Sequence, residues 1–87
     1  MKERIKQIIR TAYEKEKRRA PKCNILLSEE SYLVIITFNS DNFTQMKAKT
    51  ITSIKEALES ECLRMKYFKP FENFFVMELF PFEYEGT

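Results

Sequence analysis

Histidine and tryptophan are absent from the 87-residue chain, and its one glycine is Gly86. Without an imidazole, Ser-His-Asp and Cys-His catalysis are excluded in their usual forms. Cys23 and Cys62 stand far apart with no Cys-x-x-Cys spacing. Two thiols without a histidine cannot supply the four ligands of a structural zinc site. The lack of internal glycine removes the Gly-rich loops that cradle phosphates or dinucleotides, and no Asp-x-Asp-x-Asp-Gly run offers a calcium loop. The expectation is no metal, no cofactor and no enzyme activity of a familiar kind.

Long apolar runs are missing too. Crossing a bilayer takes roughly 18–20 apolar residues, and no segment approaches that. The opening residues Met1, Lys2, Glu3, Arg4, Ile5 and Lys6 place charges where a signal peptide needs about 7–15 apolar residues. A cytoplasmic location follows as the expectation, with Cys23 and Cys62 as buried free thiols rather than a disulfide.

What is present suits one domain over residues 1–87. The apolar fraction is 44%, ordinary for a folded chain, and a chain of this length supports one core rather than two. Net charge is +2 but unevenly spread: residues 1–22 hold nine Lys/Arg against three acids, while Glu72, Glu78, Glu83 and Glu85 face no base after position 69. A basic helix within 1–21 and an acidic tail over 81–87 are the two ends of that gradient.

Periodicity supplies the elements. Ile5, Ile8, Ile9, Ala12 and Tyr13 recur at helical spacing, followed by a charged run that Ala20 and Pro21 bring to an end. Lys22 to Leu27 reads as a strand with Cys23, Ile25 and Leu27 on one face, and Ser28 to Ser31 as a turn. Tyr32 to Phe38 is the strongest strand, β-branched or aromatic along most of its length and apolar on both faces, as a central strand requires. Asn42 and Gln45 resemble a capping box for a second helix running to about Glu61, with Phe43, Met46, Thr50, Ile51, Ile54, Ala57, Leu58 and Cys62 as its core stripe. Leu63, Met65 and Tyr67 alternate with Arg64, Lys66 and Phe68. Pro70 to Asn73 supplies a turn in which Asn73 can adopt a left-handed conformation. Phe74, Val76, Glu78 and Phe80 then alternate with Phe75, Met77 and Leu79, and Pro81 is expected to end that strand or place it at an edge.

The fold class expected is α+β: a two-layer sandwich in the order helix-strand-strand-helix-strand-strand, with two helices on one face of a mainly antiparallel four-stranded sheet. The run from Ser31 to Phe38, followed by Asn42, Phe43 and a helix, resembles the layout of BolA-type proteins and type II KH domains. Those families act through an Arg-His pair and a Gly-x-x-Gly loop respectively; this chain has neither, so the resemblance implies layout alone.

Function is expected at a surface. Eight of the twelve aromatic residues fall between Tyr67 and Tyr84, and strands two and four are apolar on both faces although helices cover only one. An uncovered apolar face on a small protein marks an interface. The candidates are Phe68, Phe71, Phe74, Phe80, Phe82 and Tyr84, with Glu78, Glu83 and Glu85 as rim charges. The partner is expected to be another protein or a second copy, making a homodimer. Glu78, interrupting an apolar strand face, reads either as a rim residue paired with Arg64 or Lys66 or as a carboxylate in an apolar cleft. The alternative is a nucleic-acid binder using Arg10, Lys15, Lys17, Arg18, Arg19 and Lys22, with Lys6 continuing the same positive helix face.

Overall fold

The first apolar stripe does form one helical face: Ile5, Ile8, Ile9, Ala12 and Tyr13 are all buried. The computed structural model describes residues 1–37 and 46–81. Over them the chain runs α1 (Lys2–Lys15), β1 (Lys22–Leu27), β2 (Tyr32–Thr37), α2 (Ala48–Ser60), β3 (Leu63–Pro70) and β4 (Phe74–Pro81). The class and element order match the expectation. Phe38, Asn42, Phe43, Gln45, Phe82, Glu83, Tyr84 and Glu85 lie outside the described residues.

The sheet is antiparallel throughout, in the order β1-β2-β4-β3. The two strands that are apolar on both faces take the middle, where neither ladder edge meets water. β4 is therefore central, and of the two expectations for Pro81 the first holds: it ends that strand, opposite Leu63, and does not place it at an edge. A proline is tolerated there because only the last ladder position lacks its donor.

The paired rows define the face beneath the helices: Ile25, Val34 and Met77; Cys23, Ile36 and Phe75; Tyr32, Leu79 and Met65. With α1 and with Ile54 and Leu58 of α2 they form one core. Each large side chain fully buried there contributes about 1.5–3 kcal/mol relative to exposure. The helices lie antiparallel. Arg4 near the start of α1 pairs with Glu61 after the end of α2, while Glu16 after α1 meets Thr50 in the first turn of α2.

Both helices end on a left-handed residue that is not glycine. Lys17 has φ 55°; its N–H donates to the Glu14 carbonyl and the Arg18 N–H to the Tyr13 carbonyl, the Schellman pattern. α1 thus stops before Ala20 and Pro21, because the chain reverses where Arg18 can turn inward. Cys62 has φ 61° and donates to the Glu59 carbonyl. It is exposed, which corrects its place in the expected core stripe: a left-handed residue after the helix no longer shares the helical face. α2 begins later than the capping-box reading implied, with Lys47 at the N-cap in extended conformation and without a side-chain cap.

The hairpins close differently. In the first, the Ser28 N–H donates to the Ser31 carbonyl at 2.9 Å and the Ser28 hydroxyl accepts from the Ser31 N–H at 3.1 Å. In the second, the Phe71 N–H donates to the Phe74 carbonyl at 2.8 Å, and Asn73 does not take the left-handed conformation. β3 carries a bulge between Met65 and Tyr67. One extra residue, Lys66, shifts the alternation, so Phe68 pairs opposite Met77 on the helix side rather than sharing a face with Arg64. That corrects the simple alternation read along this strand.

Candidate functional site

The β3–β4 hairpin brings its aromatic residues into two groups. At its tip, Phe71 stacks on Phe74 with ring centroids 4.4 Å apart, and Phe68 stacks on the buried Phe75 at 6.0 Å. All three of Phe68, Phe71 and Phe74 are exposed. The Lys69 ammonium lies 5.2 Å from the Phe71 ring centroid, where the negative ring face attracts it. Between this tip and the start of α2 is a hollow of about 430 Å³ lined chiefly by Met46, Ile51, Phe68, Pro70, Phe71 and Phe75. Phe80 lies at the other end of β4, opposite Arg64, with the Lys66 ammonium 5.3 Å from its ring centroid. Phe68, Phe71 and Phe74 are thus gathered, and Phe80 is apart from them.

Glu78 stands between the two groups. On one side it is registered with Leu33, on the other with Tyr67, and the Ser31 hydroxyl donates to its carboxylate at 3.1 Å. A side-chain donor from the β1–β2 turn reaches the acid that interrupts the apolar face.

That face is the one turned away from the helices. Its rows run Leu26, Leu33 and Glu78; Asn24, Ile35, Val76 and Lys69; and Lys22, Thr37 and Phe74. Leu33, Ile35, Val76 and Phe80 are half-buried by sheet neighbours, and Leu26 is 55% exposed. No described helix packs on it, since both helices share the core of the opposite face. Leu26, Leu33, Ile35 and Val76 were not among the candidate interface residues; two-sided hydrophobicity of β2 and β4 was their signal, and pairing order was needed to make them neighbours.

The basic run divides. Arg10, Lys15, Lys17, Arg19 and Lys22 are exposed, but Arg18 is folded inward with a side chain only 7% exposed. Its guanidinium donates to Glu16 at 3.0 Å and to the Thr50 hydroxyl at 3.1 Å, and lies 4.8 Å from the Tyr13 ring centroid. Thr50 in turn donates to the other Glu16 oxygen at 2.7 Å. Burial pushes the Glu16 carboxyl up, but hydrogen bonds from Thr50 and Arg18, with the charges of Arg18 and Lys49, outweigh it and hold the group below its ordinary value. Burial pushes Tyr13 up to about 12, against the pull of the Arg18 charge and with some help from Glu16. The Tyr13 hydroxyl meets the Met46 sulfur at 3.9 Å. This clasp joins the end of α1 to the start of α2, a structural use of Arg18, one of the cations of the nucleic-acid alternative.

Among the described residues no group of three His, Cys, Asp or Glu side chains lies close enough to hold a metal ion. Cys23 is half-buried, and burial pushes its thiol up to about 11 despite the nearby Lys6 charge, which keeps it protonated and a weak nucleophile at neutral pH. Among the described residues no helix is long and apolar enough to cross a membrane.

Compared with models of known protein families, with curated proteins and with solved structures, the chain matches none.

Proposed function

We propose that this chain is a non-enzymatic interaction or regulatory module, cytoplasmic and homodimeric, that meets its partner through the β3–β4 hairpin and the sheet face the helices leave open. The observation that carries the reading is the row-by-row register of that face. It places Leu33, Ile35, Val76 and Phe74 beside one another with no described layer over them. A contiguous apolar surface of this kind is costly in water and is normally covered by a partner. Glu78 toward the centre and Arg64 and Lys69 on the edge strand β3 supply the polar contacts that would fix register in a two-fold pairing.

The nucleic-acid alternative is weakened by Arg18. Reversing its charge would set like charges side by side and remove its hydrogen bonds to Glu16 and Thr50, so loss of binding by that variant would report damage to the fold. The test of the interface is chemical-shift mapping on dilution. Amides of β2 and β4 around Leu33, Ile35 and Val76 should move together as the dimer dissociates, while the helix amides stay still. Shifts confined to α1, or none at any concentration, would remove the reading.

A further inference from the structure

The sheet-face reading leaves one concave, one-signed site unused, between α1 and the start of β1. Lys6 and Arg10 project from consecutive turns of α1 at i and i+4, and Lys22 opens the edge strand β1. These cations line a hollow of about 340 Å³ floored by Ile9, Pro21 and Cys23, and no carboxylate contributes to its wall. That volume falls in the range of small-ligand pockets, about 300–1,000 Å³. Among the described residues none of the three cations has an ion-pair or hydrogen-bond partner. By contrast, Arg4 is paired with Glu61 and Arg18 with Glu16.

Converging like charges with no acid repel one another, and an anion seated among them relieves that repulsion while accepting charge-assisted hydrogen bonds. Focusing by low-dielectric walls strengthens the effect. We infer that this hollow binds the phosphate group of a small phosphorylated molecule, with Lys6, Arg10 and Lys22 as its donors. A nucleic-acid backbone is the less suited ligand. It needs a positive track longer than one hollow, and the inward turn of Arg18 breaks the basic run between Arg10 and Lys22.

Titration calorimetry with inorganic pyrophosphate on the full chain at low salt tests this, with a single-stranded 12-nucleotide oligomer as the second probe. Pyrophosphate should bind saturably at about millimolar or tighter. The pair K6Q/R10Q should weaken it about tenfold or more, whereas K2Q/K55Q, which removes the same charge elsewhere, should leave it within about twofold. In a C62S background, saturating pyrophosphate should also slow alkylation of Cys23 severalfold, because the anion sits against that thiol. Absence of saturable binding, equal weakening by both variant pairs, or an unchanged alkylation rate each overturns the site. So does an oligomer that binds more tightly than pyrophosphate and loses as much to K2Q/K55Q as to K6Q/R10Q. None of these outcomes depends on the dimer.

Discussion

Thr50 is fully buried in the first turn of α2, yet its hydroxyl serves both Glu16 and Arg18. Because these contacts favour ionised Glu16, its folded value lies below the ordinary 4.5. The unfolded chain then binds the proton more readily, so the clasp's contribution is present above pH 4.5 and lost as pH falls through the lower folded value. At the alkaline end the sign reverses. Tyr13 is raised from 10.0 to about 12, so stability is intact below pH 10 and declines as pH climbs toward 12. Urea unfolding across pH should show both limbs, with Glu16→Gln flattening the acid one and Tyr13→Phe the alkaline one; unchanged limbs in these variants would dismiss the clasp as a titrating unit. Lys17 poses a separate residue-scale cost, since a side chain at φ 55° crowds the backbone that glycine would leave free. Lys17→Gly should raise unfolding stability by about 0.5–1 kcal/mol, and a loss instead would mean that the lysine side chain holds the turn. None of this could be read from the run of charges at 14–19, because spacing does not reveal that a chain reverses at Lys17 and carries Arg18 inward.

At the scale of elements, periodicity located both helices and all four strands, because each has a face that must be dry. The stripe from Ile5 to Tyr13 and the alternation from Phe74 to Phe80 were legible for that reason. Boundaries were less so. The end of α1 depends on a Schellman turn made without glycine, and the outward position of Cys62 on a second left-handed cap. The bulge in β3 was invisible for a different reason: Met65, Tyr67 and Phe68 are all hydrophobic, so either register satisfies the pattern. Since Lys66 is the extra residue, its deletion should restore a regular ladder and leave Phe68 on Phe75. Unfolding midpoints of the deletion variant should fall within about 1 kcal/mol of the parent, and a ring–ring contact between Phe68 and Phe75 should persist by NMR. Collapse of the fold on deletion would show that the bulge's twist, rather than its residue count, holds β3 in place.

Over the whole molecule, the chain has one dry layer and one half-dry face. The two layers and the apolar second face were foreseeable from β2 and β4. Which residues meet on that face was not, since β4 pairs with β2 only after α2 and β3 have intervened. The aromatic hairpin likewise read as one patch and is two, because six positions along β4 separate Phe74 at the tip from Phe80 at the other end. In the proposed homodimer a second copy would cover the hydrophobic rows of β2 and β4, which makes mass the decisive property. Sedimentation velocity at about 1 to 100 μM, a range bracketing micromolar dimers, should show a concentration-dependent dimer for the parent chain. Ile35→Glu/Val76→Glu, which places like charges side by side on the open face, should sediment as a folded monomer throughout. A parent chain that stays monomeric across that range, or a double variant that dimerises as well as the parent, would contradict the open sheet face as the interface.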